Sequence, residues 1–197
     1  MRGLMSSTHY GSQFQLKRFD IEDMKARILS LGYTYEDIVR GKKAKVHEIS
    51  YSECFPSLDK QALEFVVGKE AVNCAELLYR AAMDTSKSTS VINGIYIVED
   101  YVDLVQKAEG YKEQGTGSNR QTLIYFKHSH CFQSMQFMKS NDCAKVVVNM
   151  RSCNLIENFL IDLALAWVVT NRVFNGAFKE IDVVMNIASL HVLEKDR

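Results

Sequence analysis

Cys131 lies in the run HCFQSMQF, residues 130–137, with Gln136 five residues after it. Arg151 and Ser152 follow, twenty and twenty-one residues past the cysteine. A thiolate is a soft nucleophile suited to adding to an electron-poor carbon. A guanidinium offers a planar fork to a phosphate, and a neighbouring hydroxyl can add a further donor. An isolated cysteine is most often structural, so it is this company that makes Cys131 a candidate.

Asp162 interrupts the most apolar stretch of the chain, NFLIDLALAWVV, residues 158–169. A carboxylate buried without partners costs several kcal/mol. Two readings stay open: Asp162 faces outward or bonds a backbone amide, or it bonds a polar ligand held inside the fold. Glu76 falls on a helical stretch, where a glutamate is ordinarily a solvated face, and Arg120 follows a GTG turn, where an arginine is ordinarily superficial. His191 sits in the last strand-like run and is as consistent with a satisfied strand histidine as with a ligand contact. His128 and His130 would share one face of a strand and Cys131 the other, so these three do not converge and no metal is expected.

The elements that must hold these residues are legible in outline. DIEDMKARILSLG spaces Ile21, Met24, Ile28 and Leu31 as a helical stripe, with Asp20 as N-cap and Gly32 as stop. KEAVNCAELLYRAAM reads as a second helix burying Val72, Ala75, Tyr79 and Ala82, closed by the turn residues DTSKSTS. GYKEQGTGSNR, residues 110–120, reads as a polar loop leading into the strand QTLIYFK. CFQSMQFMKS and AKVVVNMRS form a hairpin around KSND, NLIENFLIDLALAWVVTNRVF a long buried helix, and EIDVVMNIASLHVLEKD a final strand. The mixture predicts an α/β or α+β layered fold, one domain over residues 1–197 with residues 1–18 as a polar tail.

Composition narrows the function. Lys plus Arg and Asp plus Glu both number 24, so no overall basic field draws in nucleic acid or anionic lipid. The 47% hydrophobic content supports a substantial core. Five cysteines, without a CxxC pair, predict free thiols and a cytoplasmic protein. The N-terminus lacks a secretory apolar run, and the apolar stretch at 158–169 is short of the about 20 residues a bilayer needs.

The motifs carry a resemblance. Cys131 with Gln136 and Phe137, the pair Arg151–Ser152, and the position of Asp162 eleven residues after that arginine resemble the thymidylate synthase and pyrimidine nucleotide hydroxymethylase family. AELLYRAAMDTS and SLHVLEKD are similar to two further family segments, and the likeness extends over roughly residues 70–197. It implies a mixed, largely antiparallel sheet flanked by helices, and a homodimer in which Arg120 reaches the partner's phosphate site. It implies Cys131 as nucleophile toward C6 of a pyrimidine nucleoside monophosphate and Glu76 as organiser of proton transfer. Arg151, Ser152, Gln136 and His191 become substrate contacts, and Asn154 occupies the folate-contacting position for 5,10-methylenetetrahydrofolate.

Asp162 stands where uracil-reading members carry asparagine. A carboxyl suits the amino edge of cytosine, so the resemblance points to hydroxymethylation of CMP or dCMP. The alternatives are a binding or sensing relative without turnover, and a uridylate-modifying enzyme. The chain departs from the family pattern at Phe132, Asn154 and Leu193, and ends shortly after LHVLEKD, short of the family's folate-closing segment.

Overall fold

The computed structural model describes residues 17–39, 42–84, 91–92, 96–114, 122–126, 131–139 and 143–196. The helix α1 (Ile21–Leu31) begins where the Asp20 carboxylate accepts from the Asp23 amide at 3.0 Å, and buries Met24 and Ile28. Gly32 ends it, and the glycine is required there. A Cβ would lie 2.4 Å from the Ile28 carbonyl oxygen and 2.6 Å from that of Glu48, so the helix end abuts the next hairpin backbone to backbone. That hairpin is β1 (Tyr33–Val39) and β2 (Lys42–Leu58).

The helices α2 (Lys60–Val67) and α3 (Lys69–Met83) follow, hinged at Gly68, whose φ of +88° favours glycine. All four positions read as the inner stripe of α3, Val72, Ala75, Tyr79 and Ala82, are buried. A two-stranded ribbon, β3 (Val91–Ile92) and β4 (Tyr96–Ile97), leads into α4 (Glu99–Gln114). β5 (Thr122–Tyr125), β6 (Phe132–Lys139) and β7 (Ala144–Asn154) come next, then α5 (Phe159–Val173) and β8 (Ile181–Leu193).

Six strands form one sheet in the order β1-β2-β8-β7-β6-β5, antiparallel throughout except for the parallel pair β7–β8. This is the mixed, largely antiparallel sheet flanked by helices that the sequence predicts. Its inner rows, Met135 and Phe137, then Val146 and Val148, then Val183 and Met185, are buried and belong to one core with the helices. α5 lies against β7 and β8 with α3 and α4 packed on it; eleven of its 15 residues are buried, which is why its sequence is largely apolar. Trp167 donates from its ring N–H to the Leu58 carbonyl at 2.8 Å, tying α5 to the end of β2.

Alternate residues face away from the helices. On that open face a side-chain ladder crosses four strands. The Ser52 hydroxyl donates to Asn186 at 2.7 Å, the Asn186 amide to Asn149 at 3.1 Å, and the Asn149 amide to Ser134 at 2.9 Å.

Two elements differ from the sequence reading. The segment read as loop from residue 110 is helical to Gln114, because Tyr101, Leu104, Val105 and Ala108 form a buried stripe that carries α4 through Gly110. β2 is a 17-residue strand whose pairing with β8 is irregular after Ile49, where the extra residue lies on β8, and after Phe55, where it lies on β2 and shifts the alternation. Pro56 lies in the second bulge, where the ladder is already broken. Among the described residues no helix is long and apolar enough to cross a membrane.

Candidate active site

Cys131 immediately precedes β6, and β6 pairs antiparallel with β7 in a register that matches Phe132 with Met150. The pairing continues one step outward: the Arg151 amide donates to the Cys131 carbonyl at 2.8 Å. Residues twenty apart therefore meet because they flank one hairpin. Cys131 is exposed, and its Sγ lies 3.6 Å from the Ser152 hydroxyl oxygen. The Arg151 side chain is exposed at the same end of the hairpin. A nucleophile, a hydroxyl and a cation thus share one strand end.

Asp162 enters from the first turn of α5 and is 2% exposed. It does not face outward, and among the described residues its side chain bonds no backbone amide. Its Oδ1 accepts from the Tyr101 hydroxyl of α4 at 3.4 Å, and its Oδ2 accepts from the Cys153 thiol of β7 at 3.3 Å. Burial pushes the Asp162 carboxyl up to about 7, against the smaller downward pull of the Cys153 and Tyr101 bonds. Burial, then the neighbouring Asp162, pushes the Cys153 thiol well above its ordinary range, so it stays protonated and acts as donor. Cys153 follows Ser152 on β7, so neighbouring residues of one strand reach the Cys131 sulfur and the Asp162 carboxyl.

The remaining assignments separate. Asn154 is buried, and its side-chain oxygen accepts from the amides of Ile156 at 2.9 Å and Glu157 at 3.1 Å. It shapes the turn between β7 and α5, which is why the helix starts at Phe159 rather than at residue 154. Its acceptor is spent there, so Asn154 does not fit a folate contact made by a side-chain acceptor, and only its amide nitrogen is left for one. His191 is half-buried on β8 opposite Asn154, its carbonyl accepting from the Leu155 amide at 2.8 Å and its ring Nδ1 3.4 Å from the Ser189 carbonyl.

Glu76, expected at the chemistry, has two cationic partners. Its carboxylate is held by Lys60 at 3.0 Å and by Arg80, one turn on, at 3.3 Å, on the outer side of α3. Among the described residues no hydrogen bond or ion pair joins it to Cys131, Ser152 or Asp162. Gln136 is also displaced. It alternates with buried Met135 and Phe137 and pairs with Val147, so it faces the open side of the sheet, away from α5 and Asp162. Arg120, His128 and His130 lie outside the described residues.

Three nearby groups carried no signal in the sequence. Tyr101 reads as one more apolar position of a helix, and Cys153 as a buried strand residue. Glu48 of β2 accepts from the Tyr35 hydroxyl at 2.9 Å and from Ser189, and Ser189 is the register partner of Ser152. Burial and Glu48 together push the Tyr35 hydroxyl up to about 12.

No protein-family model matches this sequence, and no curated protein matches it. Among solved structures the chain is similar to the thermostable thymidylate synthase A from Bacillus subtilis, at 13% sequence identity and a TM-score of 0.56. The match covers 88% of this chain and 78% of that one. The arrangement of strands and helices around Cys131 is that of a thymidylate synthase-like fold.

Proposed function

We propose that this protein transfers a one-carbon unit to C5 of a pyrimidine nucleoside monophosphate, and that its product is the hydroxymethyl derivative of CMP or dCMP. The observation that carries the reading is the meeting of exposed Cys131 with Ser152 and Arg151 at one strand end, where the next residue, Cys153, bonds buried Asp162. Arg151 and Ser152 bind the 5′-phosphate, Arg151 as a planar fork. Asp162 reads the ring edge. Cys131 sulfur forms a bond to C6 while the C5=C6 electron pair moves to C5, which becomes the carbon nucleophile. Once C5 has taken the one-carbon unit, loss of the C5 proton expels the unit's carrier and leaves an exocyclic methylene at C5. Water adds to that methylene to give the hydroxymethyl group, and departure of the sulfur from C6 restores the double bond. Methylenetetrahydrofolate supplies the unit when bound, and Asn154 could meet it only through its amide nitrogen. His191 closes the sugar end. Gln136, on the open face, belongs with the dimer contact rather than with the substrate.

Incubation with 5-fluoro-dCMP tests the reading, followed by mass measurement of the intact chain and by tritium release from C5-labelled CMP, dCMP, UMP and dUMP. A covalent adduct and exchange on the cytidylates, both abolished in Cys131→Ser, are expected. The engagement of Glu76 by Lys60 and Arg80 favours a second reading, a cytidylate-binding protein without turnover. Measurable binding with neither adduct nor exchange would select it.

A further inference from the structure

Asp162 is a single carboxyl whose two oxygens are bonded by two chemically different donors, and that asymmetry has a use. A neutral carboxyl presents one donor and one acceptor. By moving its proton from one oxygen to the other it can match either a cytosine edge, with a ring nitrogen that accepts and an amino group that donates, or a uracil edge, with the roles reversed. Unaided, the group discriminates poorly.

Here Oδ2 faces the Cys153 thiol at 3.3 Å and Oδ1 the Tyr101 hydroxyl at 3.4 Å, with Cys153 and Asp162 buried together between β7 and α5. A thiol is a weak donor and a poorer acceptor, so a proton on Oδ2 would meet a sulfur that can scarcely receive it. A phenol both donates and accepts, and tolerates a protonated Oδ1. We infer that Tyr101 and Cys153 are positioning residues that fix Oδ2 as the acceptor and Oδ1 as the proton carrier, so that Asp162 reads the amino edge of cytosine and rejects that of uracil. Burial, which keeps the carboxyl protonated near neutrality, makes the location of that proton matter. The inference rests on the proposed reading that Asp162 faces the base.

Binding of CMP, dCMP, UMP and dUMP to the full chain, measured calorimetrically, tests it in four variants. Asp162→Asn should reverse the preference between cytidylates and uridylates. Tyr101→Phe and Cys153→Ala should each reduce that preference about fivefold, the size of one lost neutral hydrogen bond. Cys153→Ser, whose hydroxyl accepts as readily as it donates, admits the proton on Oδ2 that the thiol disfavours, and should reduce the preference as Cys153→Ala does.

A merely structural role for the two residues would lower all four affinities together and leave their ratio unchanged, overturning the inference. If Asp162→Asn reverses the preference while Tyr101→Phe and Cys153→Ala do not move it, the inference fails and the base assignment stands. If Asp162→Asn leaves the preference as it was, or none of the four nucleotides binds, the base assignment fails and takes the inference with it.

Discussion

At the scale of single residues, the clearest physical consequence belongs to Asp162. Its carboxyl is raised to about 7 by burial, whereas in the unfolded chain it titrates near its ordinary 3.8. Between those values the folded state holds a proton that the unfolded state has released, so stability falls as pH rises from about 4 to about 7 and levels off above. The full effect is roughly 4 kcal/mol. Denaturant unfolding across that range should therefore show a descending slope that Asp162→Asn largely removes; an unaltered slope would place the titrating group elsewhere. The apolar run left two readings of the residue open, outward or inward, and the packing of α5 settles it as buried. Its partners were not legible. Tyr101 is 61 residues away, and the Glu48–Ser189 contact spans 141, distances at which sequence pattern carries no pairing information. Glu76 matches a family segment, and its helix face also gives it Lys60 and Arg80 as neighbours, which the sequence did not show.

At the scale of elements, the hairpin of β6 and β7 decides what meets what. Counting back from the KSND turn, with Lys139 opposite Ala144, brings Ser152 to Cys131. The irregularity between Phe132 and Ser134 shifts the register by one and sets the Arg151 amide on the Cys131 carbonyl, so spacing alone brings these residues together only to within one position. β2 could not be read from pattern, because the bulge after Phe55 breaks the alternation that identifies a strand. The junction of α1 with β2 is similarly hidden in the sequence, where Gly32 looks like an ordinary helix stop. In the fold it is a close backbone contact with both Ile28 and Glu48. Gly32→Ala should cost about 1–3 kcal/mol in thermal or denaturant unfolding, since neither neighbouring carbonyl can move without shifting the helix. Asp20→Ala, which removes only the cap, should cost about 1 kcal/mol. A glycine variant milder than the cap variant would show that α1 can slide over β2.

At the scale of the whole molecule, the sheet divides the protein into a helix-covered side, which holds Asp162 and the core, and an open side bearing Gln136, Val147 and the amide ladder. A homodimer packed through the open side would let Arg120 of one copy serve the phosphate of the other. Subunit complementation tests this. Cys131→Ser and Arg120→Ala should each abolish C5 exchange when pure, whereas a refolded mixture should recover part of it, because one of its sites holds an intact cysteine and an intact arginine. A mixture as inactive as its parents would count against a shared site. The layered architecture was expected from the alternation of element types, while the strand order, which brings β8 between β2 and β7, has no counterpart in local pattern.

The row from Ser52 through Asn186 and Asn149 to Ser134 works as an index mark on four sliding rulers. Valine-rich strands such as β7 and β8 could pack almost as well when displaced by two residues, keeping their greasy side inward. Amides and hydroxyls at one height would then lose their mates all at once. That penalty locks the vertical alignment of the strands, and with it the few ångströms separating the sulfur of Cys131 from the oxygen of Ser152.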